Sequence, residues 1–232
     1  MQESAQRSAM RARLSTGAQA LGSALSDLQL STLLDYAELM LKWNKVYNLS
    51  ALREPMEVVD LHLLDCLTLI PAIRALAGDK PGTVMDIGSG AGLPAVVIAL
   101  LFPQLRVHAV DAVDKKIAFQ RQAAAQLRLT NWLAHHVRVE QWACEPTASA
   151  KEGARLITAR AYASLGQLVK STRHLATPST RWLAMKGKIP HDEMSELAEL
   201  APDVQVDTIV PIPIPGNESE RCLITLSLRP VE

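Results

Sequence analysis

Cysteine, long apolar runs and net charge are what this chain of 232 residues has little of. Its three cysteines, Cys66, Cys144 and Cys222, stand far apart, with no C-x-x-C pair and no His/Cys cluster at ligand spacing. That spacing argues against a disulfide scaffold and a structural metal site, and it fits a reducing, cytoplasmic compartment. The longest apolar run, around Val96 to Phe102, falls well short of the ~20 residues a membrane span requires, so no membrane partner is expected. Twenty-four basic residues cancel 24 acidic ones. A generic nucleic-acid-binding domain is usually strongly basic, and this chain is not.

What is present is ordinary for a well-buried core: 48% hydrophobic and 21% charged residues, which excludes disorder, collagen and coiled coil. The length suits one large domain with a helical appendage. Arg7, Arg11 and Arg13 precede any apolar segment, so residues 1–25 are expected to form a flexible tail. Ser26 and Gln29 make a capping box that opens a helix over residues 26–48. Leu30, Leu33, Leu34, Ala37, Met40 and Leu41 form its apolar face. Pro55 opens a second helix, to about Ile70. Residues 26–80 are therefore read as a helical segment packed on a core of residues 81–232.

Within that core the period changes. Short apolar runs at 83–87, 106–110, 133–139, 154–158 and 181–185 alternate with helical stretches at 93–102, 114–129, 164–176 and 191–200. Alternation of this kind specifies an α/β domain with a mostly parallel sheet. Two last strands, 204–212 and 222–228, have no helix between them and make a terminal antiparallel pair, seven strands in all.

Charge is unevenly placed. From Lys151 to Lys188 there are eight basic residues against Glu152, and from Ile189 to Glu220 eight acidic residues with no Lys or Arg. Two readings stand: solvated faces that segregate, or a basic face for a polyanion with an acidic face opposite.

The chemistry begins at Asp86-Ile87-Gly88-Ser89-Gly90-Ala91-Gly92-Leu93-Pro94, where a strand meets closely spaced glycines and then a helix. Glycine lets the backbone turn sharply and come near a ligand. Asp111, closing the next strand, can accept hydrogen bonds from a ribose diol. The dinucleotide fingerprint G-x-G-x-x-G needs its third glycine one position later, and Pro94 removes an amide from a diphosphate cradle. S-adenosylmethionine, with ribose, adenine and a cationic amino acid but no phosphate, fits the loop better. A nicotinamide dinucleotide and a purely structural turn remain open.

At this point the chain resembles the RsmG family, also called GidB, from about Leu28 to Leu228. The resemblance rests on the glycine loop, Leu41-Lys42-Trp43-Asn44-Lys45-Val46-Tyr47-Asn48-Leu49, His62-Leu63-Leu64-Asp65, Arg138-Val139-Glu140, Arg160-Ala161-Tyr162-Ala163-Ser164-Leu165 and Met185-Lys186-Gly187. Ala95 departs from the family's usual glycine. The resemblance implies a Rossmann-like class I methyltransferase with S-adenosylmethionine as cofactor. It also implies 16S rRNA of the small ribosomal subunit as substrate, and N7 of guanine 527 in the 530 loop as target. It carries cofactor binding onto Gly88, Leu93, Val139, Glu140 and Arg160; Gly90 and Asp111 join them from the loop reading.

No cysteine sits in the Pro-Cys or Thr-Cys setting of a cytosine-C5 enzyme, and no D/N-P-P-Y/F loop for exocyclic amines follows the fourth strand. Guanine N7 has a free lone pair and needs no general base, so no catalytic acid or base is expected, and Arg160 is the candidate orienting residue. Lys186, Asn48, His62 and Arg121 are candidate substrate contacts. For Asn48 a helix cap competes with that role, for His62 a hydrogen bond to Asp65, and for Lys115, Lys116 and Arg121 a solvated helix face. Trp43 and Tyr47 read as packing. A monomer is expected. The rival functions are a nicotinamide-dependent oxidoreductase, a non-enzymatic rRNA-binding module and a small-molecule methyltransferase.

Overall fold

A computed structural model describes residues 4–142, 154–214, 216 and 219–230; Cys144, Lys151 and Glu152 lie outside them. One sheet is built from β1 (Gly82–Ile87), β2 (Leu105–Asp111), β3 (Trp132–His136), β4 (Ala154–Arg160), β5 (Ala176–Lys186), β6 (Val204–Pro211) and β7 (Cys222–Leu228). Their spatial order is β3-β2-β1-β4-β5-β7-β6. The first five run parallel, and β7 is antiparallel to β5 and β6. Strand order reverses between β1 and β4, and in open α/β sheets the crevice at such a reversal, beyond the strands' carboxyl ends, receives ligands.

The apolar strands read as continuous runs because both faces are covered. Val84 points into one core, shared with helices α2 (Asp27–Tyr47), α6 (Ala95–Leu101) and α7 (Asp114–Gln126). Met85 and Ile87, one step out of phase, point into a second core with α8 (Leu165–Thr172) and α9 (His191–Leu200). Trp182 on β5 is fully buried there, and its indole N–H donates to Thr172 Oγ1 at 2.9 Å. The polar tip of a core aromatic thus finds a partner.

The N-terminal expectation is overturned. Residues 5–20 are not a frayed tail but helix α1 (Ala5–Ala20), capped by Ser4. Met10, Leu14 and Ala18 recur at helical spacing, and all are buried. Its arginines are anchors: Arg7 pairs with Asp35 and Glu38, Arg11 with Asp27, and Arg13 with Asp60. At Gly17 a Cβ would come within 2.6 Å of the Leu64 methyl groups, so a side chain there would force Leu64 to shift.

The capping box at Ser26 and Gln29 is present on both sides, and Asn48 closes α2 in the left-handed region, φ 49°. The single helix expected from Pro55 to Ile70 is interrupted. It divides into α3 (Pro55–Val58), a π turn (Val59–Leu64) and α4 (Asp65–Leu67), before α5 (Ile70–Ala77) begins. Apolar spacing could not reveal the extra residue in the wide turn, because Val59, Leu63, Leu64 and Leu67 stay buried either way. The third strand stops at His136, earlier than expected, and Val139 and Glu140 lie in a 3₁₀ turn.

The opposed-faces reading of the charge blocks also fails. Acidic residues of the second block neutralise basic residues of the first: Asp203 pairs with Arg173, Asp207 with Arg181 and Glu193 with Lys186. The cause is sequence-local folding, since α9 packs on α8, β7 pairs with β5 and β6 pairs with β7.

If α1 is part of the folded unit, Leu14→Ala creates a core cavity and lowers unfolding free energy by about 2–5 kcal/mol. Urea titration checks this, and a change under about 0.5 kcal/mol, typical of surface substitutions, would return α1 to the status of a tail.

Candidate active site

The glycine loop leaves β1 at Ile87 and is held from several sides. Gly88 N–H and Ser89 N–H both donate to the Val110 carbonyl, at 2.9 and 3.1 Å. Gln120, fully buried on α7, donates to Ser89 Oγ and to the Gly90 carbonyl, each at 2.8 Å. From the helical segment, the Tyr36 hydroxyl donates to the Ala91 carbonyl at 2.8 Å. Gly88 has φ 65°, and a Cβ there would meet the Tyr162 ring at 2.5 Å. Here glycine is required by both backbone conformation and space.

Two carboxylates occupy the loop's amides. Asp86, buried, accepts from Ala95 N–H at 3.1 Å and from the Thr158 hydroxyl at 3.2 Å. Burial pushes its carboxyl up to about 7, against the pull of those two hydrogen bonds. Asp111 accepts from Gly90 N–H through Oδ2 and from Val113 N–H through Oδ1, both at 2.9 Å. A dinucleotide's diphosphate would need these amides and would meet two carboxyl groups instead. A carboxylate has about four acceptor directions, so Asp111 keeps capacity for a neutral diol.

Two cavities adjoin at the loop, sharing Gly88, Lys116 and Ala161. One, of about 280 Å³, lies over the ends of β2 and β3, bordered by Asp111, Val139, Glu140 and Tyr162. The other, of about 480 Å³, lies between the loop and the helical segment, with Ser50, His62, Asp65, Gly90, Leu93, Arg160, Lys186 and Arg221 on its walls. Ala161 turns the chain between them at φ 50°, a conformation that costs a residue with a Cβ of order 1 kcal/mol.

The wall of the larger cavity is a charge network. Arg160 Nη1 reaches the Leu61 carbonyl at 3.3 Å, His62 Nδ1 at 3.2 Å and Asp65 Oδ2 at 3.2 Å. The opposite oxygen, Asp65 Oδ1, accepts from Arg221 Nε at 3.0 Å. Among the described residues, the hydrogen bonds of Arg160 all use Nη1, which leaves the donors on Nε and Nη2 for an anion. His62 Nε2 lies 2.9 Å from Ser50 Oγ. His62 Nδ1 also lies 3.1 Å from the Leu61 carbonyl, so both ring nitrogens are engaged. Burial, then the Arg160 charge, lowers His62 to about 4, so the ring is neutral at neutral pH.

A family profile described as rRNA small subunit methyltransferase G matches residues 29–221. Curated relatives with the name Ribosomal RNA small subunit methyltransferase G include one from Leptothrix cholodnii, 44% identical over 94% of this chain and 95% of its own. Another, from Burkholderia pseudomallei, is 42% identical over 97% and 94%. The chain belongs to the rRNA small subunit methyltransferase G family. It is a methyltransferase that uses S-adenosylmethionine. The fold agrees. A SAM-dependent methyltransferase from Aquifex aeolicus superposes with TM-score 0.55 at 14% identity, covering 74% of this chain and 93% of that one. TrmN from Thermus thermophilus gives TM-score 0.55 at 15% identity over 71% and 49%.

For a methyltransferase of this family the expected residues divide. Gly88, Gly90, Leu93, Asp111, Val139, Glu140 and Arg160 all border the paired cavities, as do His62 and Lys186. Lys186 is not free: its ammonium bonds Glu193 at 2.7 Å and the Ala163 carbonyl at 2.6 Å. Glu193 also accepts from Leu165 N–H, so this pair fixes the starts of α8 and α9. Asn48 caps α2 and its Oδ1 accepts from Arg53, away from the cavities. Arg121 lies exposed on α7, donating to the Ala134 carbonyl. Trp43 and Tyr47 pack against each other, 4.9 Å between centroids, and Trp43 meets Phe119 edge-on.

Sequence reasoning missed Lys116, 3.8 Å from Asp111 and on both cavities, and Arg221, 156 residues from its partner Asp65. A lysine at the third position of the helix after the acidic strand end was visible but indistinguishable from a solvated face. For Arg221 no local signal exists. Burial pushes the Cys66 thiol up to about 12, removing it as a nucleophile.

Because folded His62 titrates near 4 and an unfolded histidine near 6.5, the unfolded chain binds more protons between those values. Stability therefore falls as pH drops through that window and is unaffected above it. His62→Gln is expected to flatten the decline in urea midpoint between pH 7 and 5, with a remainder from His108, also lowered to about 4 by burial and by His135. An unchanged slope would mean that His62 is protonated in the folded chain.

Proposed function

We propose that the chain methylates N7 of a guanine in 16S rRNA, guanine 527 of the 530 loop, acting in the cytoplasm on rRNA of the small subunit. The observation that carries the N7 assignment is the absence, among the described residues on the larger cavity, of a group poised to move a proton. His62 is neutral with both nitrogens engaged, and Asp65 lies between two arginines. N7 presents a lone pair at neutral pH, so alignment suffices.

The cavities fit the cofactor's chemistry. The smaller one offers the Asp111 carboxylate for a ribose diol, with Val139 and Glu140 at the place for adenine. The Glu140 carboxylate is an acceptor for an exocyclic amine. In the larger one, the free donors of Arg160 suit the carboxylate of the methionine part. When bound, S-adenosylmethionine supplies an electrophilic methyl group on a sulfonium. The chain's own part is to bring the backbone of Gly88 and Gly90 close to the ligand, fix Arg160 through Asp65 and His62, and present the guanine edge in line. Lys116, between the two cavities, places a positive charge beside Asp111 and balances its carboxylate. A nicotinamide cofactor is disfavoured by the two carboxyl groups on the loop amides.

Incubation with methyl-labelled S-adenosylmethionine and small subunits from cells lacking this gene, followed by borohydride and aniline, is expected to cut 16S rRNA once, in the 530 loop. Labelled rRNA without a cut would overturn the N7 assignment and leave a methyltransferase. Asp111→Asn keeps an acceptor for Gly90 N–H but removes the charge, and it is expected to weaken S-adenosylmethionine binding about 10-fold or more, since a hydrogen bond to a charged group contributes ~1.5–3 kcal/mol. An unchanged dissociation constant by calorimetry would remove Asp111 from the ribose site.

A further inference from the structure

The basic run that begins at Lys151 does not face the reaction cleft as a unit. β4 and β5 are parallel neighbours, so residues near their starts emerge at one end of the sheet and residues near their ends at the other. Arg160 and Lys186 go to the cleft, whereas Arg155 and Arg181 go to the opposite end. At ~3.3 Å per residue, the five steps from Arg155 to Arg160 separate the two ends by about 17 Å.

At that far end a third arginine, Arg106 near the start of β2, completes a ring. Arg106, Arg155 and Arg181 line one cavity of about 480 Å³, together with Thr83, Gln104 and Ser179. Among the described residues, no carboxylate borders it. Arg155 lies along Gly82, where a Cβ would come within 2.9 Å of its Cδ, and it donates to the Leu76 carbonyl at 3.0 Å. Arg181 is half-committed, to the Thr180 carbonyl at 3.0 Å and to Asp207 at 3.5 Å. Arg106 is exposed and has no ionic partner among the described residues. Three guanidinium groups carry fifteen N–H donors by their chemistry, of which these contacts use few. Like charges gathered on one cavity repel, and an anion between them relieves that repulsion.

We propose that this cavity is a second anion site, separate from the cofactor cleft, that takes phosphate groups. Planar guanidinium forks match phosphate oxygens bidentately, and the Thr83 and Ser179 hydroxyls add neutral donors. The space suits two or three linked phosphates rather than a single small anion. A phosphate run on the RNA backbone and a free polyphosphate ligand carry the same chemistry.

The test titrates inorganic tripolyphosphate into the full chain saturated with S-adenosylhomocysteine, so that the cofactor cleft is filled. One bound equivalent is expected, weakened at least 10-fold in Arg106→Gln and further in the Arg106→Gln/Arg181→Gln double variant, with cofactor affinity unchanged in both. Arg106 is exposed and has no ionic partner among the described residues, so the single variant keeps the test valid if the double variant fails to fold. No binding to the parent chain, or binding untouched by Arg106→Gln, overturns the proposal. A several-fold rise in KM for small subunits in the variant, at constant kcat, identifies the phosphates as those of the RNA. An unchanged KM with tripolyphosphate binding lost identifies a free ligand. A chain that binds tripolyphosphate but methylates no RNA would sink the reading of the cleft and leave the second site standing.

Discussion

Asp65 sits almost out of reach of water with one arginine on each carboxylate oxygen, and the cleft is organised around that single charge. Its partners come from places far apart in the chain: Arg160 at the end of β4 and Arg221 at the start of β7. Taking a carboxylate out of water costs several kcal/mol, and a single counter-charge rarely offsets it. Two guanidinium groups do, and they leave the trio with net positive charge. That excess faces the cavity, where it is available to an anionic part of a ligand. The same atoms therefore join the helical segment to the sheet and set the polarity of the site.

The helical segment is more than a support for the sheet. Tyr36 holds the glycine loop from outside through the Ala91 carbonyl, and the π turn brings Leu61, His62 and Asp65 together against Arg160. Leu61 and His62 stand four and three residues before Asp65, a spacing that puts all three on one helix face, and Arg160 meets that face. Helix α1 closes the far side of that segment and buries Leu14 and Ala18 against it.

Charge shows the same dependence on topology. Blocks of opposite sign that adjoin in sequence ended up paired with each other, because α9 and the terminal strands fold back on α8 and β5. The basic block was also divided by the parallel direction of β4 and β5, which sends alternate ends of each strand to opposite poles. Neither outcome follows from counting charges along the chain. Both follow at once from the strand order.

Some of this molecule was determined locally. Alternating apolar runs and helical stretches fixed seven strands of an α/β sheet, because a strand buried on both faces must be apolar throughout. The capping box at Ser26 and the glycines after Asp86 were equally legible, since each depends on residues within a few positions of one another. Residues that the family motifs singled out, such as Gly88, Val139 and Arg160, border the paired cavities. What only the tertiary structure decided depends on distance in sequence. Arg7, Arg11 and Arg13 read as part of a flexible tail until their carboxylate partners on other elements were in place. Lys186 looked free until Glu193 was beside it, and Arg221 had no local mark at all. Electrostatic energy depends on separation in space, not along the chain, so the partners of a charge are decided only when the strands have been ordered.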